Sequence, residues 1–291
     1  MQIGVIFPQL EIGTDPVAIR DYAQAAEGMG YRHLLAYDHV LGASTEHRPN
    51  WRGAYTSASQ FHEPFVLFAF LAGQTRTLEF VSGVFILPQR QTALVAKQAA
   101  SLDVLSGGRL RVGVGIGWNE VEYQALGENF KNRASRLEEQ IVVLRALWAE
   151  PVVTFHGRWH TIEEAGLNPL PVQRPLPLWV GGSADAAVAR AGRLADGWFP
   201  QRAPDDEARR LLGIFRGGAA AAGRDPAALG IEARLNIGQV PEAEWPAYAE
   251  GWRALGATHM GINTMGAGLR SPQEHVDALR RVAAALGVGS E

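Results

Sequence analysis

The hydrophobic and polar positions of this chain follow two alternating patterns. Short apolar runs rich in β-branched residues are typical of strands buried on both faces. Longer stretches with apolar residues at helical spacing are typical of helices with one buried side. The runs predict eight strands, at 2–7, 32–37, 80–87, 109–115, 178–180, 197–199, 232–237 and 258–263. The stretches predict helices at 16–28, 63–75, 92–105, 119–126, 133–148, 205–222, 242–255 and 272–286, with a further helix after Ser183.

The region 80–122 is the clearest unit of this alternation. A strand, a helix and a second strand follow one another, and Gly107-Gly108 ends the helix because glycine adopts the left-handed conformation without a steric penalty. Two buried strands joined by a helix lie parallel, so the region predicts a βαβ unit. Both strands carry glycines where side chains would normally fill space, at Gly83, Gly113, Gly115 and Gly117. We interpret these glycines as a place where something other than protein approaches the backbone.

The alternation over the whole chain predicts the fold class. Strands that alternate with helices lie parallel and are joined by right-handed crossovers. We expect an α/β fold, a closed (β/α)8 TIM barrel in a single domain over 1–291, because barrels commonly use about 250 residues as one unit. A doubly wound sheet is the alternative. A hairpin at 151–162 and the proline-rich passage after it are expected as a short insertion between units four and five.

Composition restricts the classes of partner. The chain has 27 basic and 30 acidic side chains and a formal net charge of −3, so neither nucleic acid nor an anionic membrane is an expected partner. It contains no cysteine, which excludes disulfides, thiolate metal ligands and a cysteine nucleophile. The first residues lack the basic segment of a signal peptide, and no apolar run approaches the roughly 20 residues that span a bilayer. We expect a soluble cytoplasmic protein.

Candidate site residues follow the predicted strands. In a parallel barrel the active site lies at the C-terminal ends of the strands. Those ends carry Phe7-Pro8, Asp38-His39, 83–88, 115–118, 181–183, Phe199-Pro200, Asn236 and Asn263. Asp38-His39 is the most polar of them, and imidazole is suited to proton transfer near neutral pH. His39 is therefore a candidate hydrogen-bond donor or proton-transfer group, and the alternative is a histidine satisfied by its neighbours.

The sequence Gly181-Gly182-Ser183 lies between a predicted strand and a predicted helix. Free amides at a helix N-terminus bind phosphate, and glycines allow a ligand to approach closely. The alternative is an ordinary turn in which Ser183 is the N-cap of the helix. Asp185 counts against an anion here, because it places a carboxylate in the first helical turn.

Two patterns do not support the sites that they resemble. The glycines from Gly113 onward lack the third glycine of a dinucleotide fingerprint, because Trp118 stands in its place. A closely packed strand, or backbone under a flat ligand, explains them better, and Gly115 is a candidate cofactor contact. His156 and His160 have the spacing of a zinc-binding helix but flank a predicted glycine turn, so no metal site is expected.

The segment 42–62 has no clear period and is long for a connection, which favours a lid or a binding loop. Aromatic residues in it and beyond it are candidates for the wall of an apolar pocket: Trp51, Tyr55, Phe61, Trp118 and Trp198. Any one of them could equally be ordinary packing.

Several motifs together resemble the luciferase-like monooxygenase superfamily, in its branch of F420-dependent oxidoreductases. They are AYDHV, HEPFVLFAFLAGQT, SGVFILPQ, AKQAASLDVLSGGRLRVGVGIGWNEVEY and LPLWVGGSADAAVARAGRLADGWFP. The motifs extend over nearly the whole chain. They distinguish the superfamily better than the cofactor, because relatives that use FMN share much of the pattern.

The resemblance implies roles for particular residues. It implies a non-prolyl cis peptide at Gly83–Val84, in a bulge that supports the ring of the cofactor. Asp38 and His39 match the pair beside the reactive edge of that ring. Gly181, Gly182 and Ser183 match the segment that receives the cofactor's phosphate.

Trp118 marks a departure from the superfamily pattern. It stands where some F420-dependent sugar-phosphate dehydrogenases have a glutamate, which makes that substrate class doubtful and a pocket wall the expected role. Our hypothesis is an oxidoreductase that transfers a hydride between coenzyme F420 and an apolar or aromatic organic substrate, with His39, Asp38 and Trp118 at the reacting end. The alternatives are an FMN-dependent monooxygenase and a flavin- or deazaflavin-binding protein without efficient catalysis. The resemblance also implies a homodimer.

Overall fold

The computed structural model describes residues 1–289 as strands and helices in alternation. The strands are β1 Gln2–Ile6, β2 His33–Ala36, β3 Glu79–Ser82, β4 Phe85–Ile86, β5 Leu110–Gly115, β6 Val153–His156, β7 Thr161–Ala165, β8 Leu178–Gly181, β9 Gly197–Phe199, β10 Gly230–Asn236 and β11 His259–Asn263. The α-helices are α1 Pro16–Gly28, α2 Pro64–Ala72, α3 Thr92–Ser106, α4 Glu120–Ala125, α5 Arg133–Ala149, α6 Asp185–Leu194, α7 Asp206–Ala221, α8 Trp245–Ala254 and α9 Pro272–Leu286. Within these described residues, no helix has the length and apolar character needed to cross a membrane.

The parallel strands close into a barrel. Their order around it is β1, β2, β3, β5, β8, β9, β10 and β11, and β11 pairs again with β1. The short β4 follows β3 after a break and pairs with β5. The predicted (β/α)8 barrel is confirmed, and the doubly wound alternative is wrong because β1 and β11 leave no open edge between them. The antiparallel hairpin β6–β7 lies between the fourth and fifth barrel strands, as predicted.

Local signals determine where several elements begin and end. Asp15 accepts a hydrogen bond from the Val17 amide and Pro16 follows it, so α1 begins where the sequence predicts. Gly107 ends α3 with a left-handed φ of 71°. The predicted strand 80–87 is not continuous, because a cis peptide bond at Gly83–Val84 separates β3 from β4.

The bottom of the barrel, where the strands begin, holds a buried group of charges. Glu232 accepts hydrogen bonds from His33 Nε2 at 2.9 Å and from Arg111 Nη1 at 2.6 Å, and each of the three residues is at most 3% exposed. Arg111 also pairs with Glu79 at 3.1 Å, and its Cζ lies 4.3 Å from the ring centroid of Trp179. Burial works against the charge of Glu232, but His33 and Arg111 hold the pKa of its carboxyl well below the usual range. The network therefore closes the barrel at this end and leaves the opposite end for a site.

Candidate active site

A cavity of about 420 Å³ lies at the C-terminal ends of the barrel strands. This volume is within the range of about 300–1,000 Å³ that small-molecule pockets occupy. The cavity brings together the residues that the sequence predicts for catalysis and cofactor binding: Asp38, His39, Gly83, Val84, Gly115, Trp118, Gly181, Gly182 and Ser183. Of the aromatic candidates for the pocket wall, Tyr55 and Trp118 line it, and Trp51, Phe61 and Trp198 do not. The other strand-end candidates do not line it: Phe7-Pro8, Phe199-Pro200, Asn236 and Asn263.

One wall of the cavity is a bulge between β3 and β4. The peptide bond Gly83–Val84 is cis, as the resemblance implies. The Val84 side chain fits between β5 and β8, where a Cβ added to Gly115 or Gly181 would come within 2.6 or 2.9 Å of it. A Cβ added to Gly113 would collide with the backbone of Ser82. The glycines of β5 thus make room for protein atoms, which supports close packing, and the contact of Gly115 with a cofactor stays a prediction.

His39 is held by a buried carboxylate from α4. Its Nδ1 lies 3.3 Å from Glu122 Oε2, and the Glu122 side chain is 1% exposed. The same carboxylate accepts hydrogen bonds from the amides of Val40 and Leu41 and from Gln89 Nε2. Burial favours the neutral form of Glu122, but the hydrogen bonds from His39 and the two amides outweigh it and lower the pKa. Glu122 therefore stays ionised near neutral pH, so Nδ1 donates to it and Nε2 is left for a ligand.

Aromatic side chains surround the His39 ring. The ring centroids of Tyr55, Phe61 and Trp118 lie 4.8, 4.9 and 5.5 Å from it. Tyr55 and Phe61 belong to the 42–62 segment, which contains neither helix nor strand. This segment covers the imidazole with apolar surface and restricts the access of water to it.

Asp38 connects the end of β2 to the bulge. Its buried carboxylate accepts hydrogen bonds from the Ile86 amide at 3.0 Å and from Arg90 Nη2 at 2.7 Å. Arg90 is fixed in turn by Glu63, 2.9 Å away. These contacts suit Asp38 to positioning the residues after the bulge, and its catalytic role stays a prediction.

Gly181, Gly182 and Ser183 connect β8 to α6. Gly182 has a φ of 144°, which side chains rarely allow, and its carbonyl accepts a hydrogen bond from the buried Trp198. The prediction that Ser183 caps α6 is wrong, because the backbone stays extended for one more residue and Ala184 occupies the N-cap position without a side-chain bond. Within residues 1–289 the hydroxyl and the amide of Ser183 have no hydrogen-bond partner, so both are available to a ligand.

Asp185, whose charge counts against an anion near Ser183, is compensated by Arg210. Two guanidinium nitrogens of Arg210 lie 2.7 and 2.8 Å from the Asp185 carboxylate oxygens. The pair is exposed, so it adds little stability, but it reduces the repulsion of a phosphate at this turn.

His156 and His160 lie on the hairpin, away from the cavity. His160 uses both ring nitrogens within the protein, with Nδ1 at 2.8 Å from Glu139 and Nε2 at 2.6 Å from Thr92 Oγ1. His156 is exposed and lies 3.5 Å from Glu163. These contacts explain the two histidines as support for the hairpin.

Two residues of the site, Glu122 and Arg234, were not predicted from the sequence. Glu122 lies in a short predicted helix beside a second glutamate, and nothing local distinguishes the two. Arg234 carried a usable signal, because polar residues alternate along β10 at Glu232, Arg234 and Asn236. A period of two places them on one face of the strand. The structure shows that this face points into the barrel, because Arg234 lines the cavity.

The fold and the cavity define a barrel protein whose site is built on the loops after the strands, as in barrel enzymes. A sequence model of the family described as luciferase-like monooxygenase matches residues 2–291. The chain belongs to this family, which confirms the resemblance of its motifs.

The names of two relatives specify different cofactors, F420 in one and FMNH2 in the other. An uncharacterised protein of Mycobacterium tuberculosis is 38% identical over 212 residues, 71% of this chain and 73% of its own length. The F420-dependent hydroxymycolic acid dehydrogenase of that organism is 35% identical over 236 residues, 80% of this chain and 61% of its own length. The FMNH2-dependent dimethylsulfone monooxygenase of Pseudomonas putida is 32% identical over 184 residues, 62% of this chain and 47% of its own length.

A solved structure with the same fold is an F420-dependent secondary alcohol dehydrogenase in complex with an F420–acetone adduct. It matches with a TM-score of 0.76 and 19% identity over 98% of both chains. At that identity the likeness shows the fold alone.

Proposed function

We propose that this protein transfers a hydride between coenzyme F420 and an apolar or aromatic organic substrate. The observation that carries the proposal is the His39–Glu122 pair, which lies beside the Val84 bulge within a wall of aromatic side chains. The relative named as an F420-dependent dehydrogenase supports this choice of cofactor.

The residues at the mouth fit a flat ring with a phosphate-bearing tail. Val84 and Ile86 offer apolar surface, and the hydroxyl and amide of Ser183 are unengaged. The Tyr37 hydroxyl is buried without a hydrogen-bond partner within residues 1–289, so a ligand atom would relieve the penalty of its desolvation. F420, when bound, supplies two-electron hydride chemistry, and the protein supplies position and electrostatics.

His39 and its surroundings would manage the proton that accompanies the hydride. His39 lines the cavity, and its Nε2 can donate a proton to a substrate oxygen or accept one from it. Glu122 stabilises the protonated ring through Nδ1 and holds its orientation. Trp118 and the 42–62 segment exclude water and present an apolar surface to the substrate.

An FMN-dependent monooxygenase is the second candidate function. The relative named as an FMNH2-dependent monooxygenase favours it. The same unengaged groups at Ser183 would suit the phosphate of FMN equally well.

Parallel titrations of the purified protein with F420 and FMN, followed by fluorescence quenching, test the proposal. We expect tight binding of F420 and weak binding of FMN. Ser183→Ala should weaken F420 binding by about 10-fold, because a phosphate loses one hydrogen bond worth about 1.5 kcal/mol. The exposed Ser135→Ala serves as the control. A preference for FMN would overturn the proposal in favour of the monooxygenase, and F420 binding without turnover on a broad substrate panel would favour a cofactor-binding protein.

Replacing Glu122 by glutamine is expected to lower kcat by about 10- to 100-fold with little change in KM. The reason is that the variant loses a charge-assisted hydrogen bond, worth about 1.5–3 kcal/mol, that stabilises the protonated His39 ring. The measurement is steady-state hydride transfer followed by F420 absorbance. Glu120→Gln is the matched control, since Glu120 is exposed on the same helix. Equal losses in the two variants would contradict the role of Glu122.

A further inference from the structure

Arg234 brings a positive charge without a carboxylate partner to the cavity. Within residues 1–289 its guanidinium takes part in no ion pair and donates no hydrogen bond. Its Cζ lies 5.1 Å from the ring centroid of Tyr37, a contact that compensates only part of the charge. Arg90, which binds the cavity residue Asp38, is by contrast paired with both Asp38 and Glu63. Within residues 1–289 Arg234 is therefore a cavity-lining cation without a carboxylate partner.

A groove of about 450 Å³ continues outward from the cavity past Arg234, which lines both. Among the described residues its wall has polar side chains and no carboxylate: Gln201, Arg202, Asn236, Gln239 and Tyr248. The Tyr248 hydroxyl already donates to backbone carbonyls and Asn236 Nδ2 to Gln239, so Gln201 and Arg202 are donors left beside Arg234. Arg202 forms an exposed ion pair with Asp205 at 3.7 Å, the weak kind of pair that solvent screens. Among residues 1–289, Asp38 is the one carboxylate that lines the cavity, and Arg90 already binds it. The path from cavity to groove is thus positive along its length.

An anionic group is the ligand that such a path fits. A partly buried guanidinium without a counter-charge is unfavourable, and a carboxylate or phosphate compensates it by accepting two parallel hydrogen bonds. The neighbouring Tyr37 hydroxyl is also unpaired, and burial raises its pKa to about 12 against the opposing effect of Arg234, so it remains a neutral donor.

We propose that Arg234, assisted by Gln201 and Arg202, binds a carboxylate or phosphate of a ligand whose ring lies beside the Val84 bulge. The inference deepens the proposed function and rests on it for the source of the anion. That source is either the acidic tail of F420 or an acidic group on the organic substrate. The recognition chemistry is the same in both cases, because the anionic oxygens accept from one planar guanidinium.

Calorimetric titration with benzoate, and with benzamide as its neutral counterpart, tests the anion site without the cofactor. Arg234→Gln should weaken benzoate binding by about 10- to 100-fold, as expected for charge-assisted hydrogen bonds. Arg234→Lys should lose less, since it keeps the charge but not the planar fork. Arg280→Gln, which removes an exposed arginine from α9, is the control and should leave binding unchanged. Arg234→Gln should also retain the melting temperature of the wild type, because within residues 1–289 it loses only the contact with the Tyr37 ring and no ion pair or hydrogen bond of the side chain.

Further titrations identify the source of the anion. If Arg234→Gln weakens F420 but not a tail-less deazaflavin, the tail occupies the site, and benzoate should compete with F420. If benzoate binds together with F420 and still depends on Arg234, the substrate supplies the anion. If the protein binds neither F420 nor FMN but still binds benzoate through Arg234, the anion site is supported and the proposed function is overturned. Identical behaviour of Arg234→Gln and Arg280→Gln towards benzoate and F420 would overturn the inference.

Discussion

Replacing His39 by glutamine is expected to lower the rate of hydride transfer by about 100- to 10,000-fold, the usual contribution of a positioned acid–base group. Glutamine keeps a polar side chain of similar length between Tyr55 and Phe61 but cannot shuttle a proton. The affinity for F420 should change little, because the apolar and phosphate contacts proposed for the cofactor involve other residues of the cavity. Stopped-flow absorbance of F420 separates the two quantities.

The matched control for His39 is His156→Gln, because His156 is 64% exposed on the hairpin and distant from the cavity. Its rate should equal that of the wild type. Hydride transfer retained by the His39 variant would remove the proton-transfer role from this side chain, and a rate loss accompanied by lost cofactor binding would point to packing instead.

Replacing Glu232 by alanine is expected to reduce the free energy of unfolding by about 3–5 kcal/mol, because it leaves the buried Arg111 and His33 without their shared counter-charge. Arg111 would retain only the partly exposed Glu79. The measurement is the free energy of unfolding from urea denaturation at neutral pH.

An exposed pair provides the comparison for Glu232. Glu242 lies 3.4 Å from Arg281, with both side chains more than half exposed, so Glu242→Ala should change stability by less than about 1 kcal/mol. Combining Glu232→Leu with Arg111→Met should recover most of the loss, because apolar side chains of similar volume replace a buried pair at little net cost. Similar losses in the Glu232 and Glu242 variants would show that burial does not govern the effect.

The order of elements was predictable because the forces that define each element act over a few residues. Helical and strand periods report which side of a segment is buried, and caps act within one turn. Helix α9 was predicted at 272–286 and is found at Pro272–Leu286. The wrong assignment of Ser183 as an N-cap has the same local origin, since serine is common at that position and one further extended residue moves the helix start.

The positions of His39 and the Gly181–Ser183 turn were predictable for a second reason. In a closed parallel barrel all strand ends meet at one mouth, so residues after different strands become neighbours without any knowledge of their contacts. Their partners were not predictable in this way. Glu122 lies 83 residues after His39, and Arg90 lies 52 residues after Asp38.

The sequence by itself determined the barrel, the hairpin insertion, the family and the strand ends where chemistry can occur. Only the tertiary structure decided that Val84 fills the space left by Gly115 and Gly181, that Glu122 orients His39, and that Arg234 has no carboxylate partner within residues 1–289. The physical reason is that periodicity encodes burial residue by residue, whereas charge compensation depends on which side chains meet once the barrel has closed.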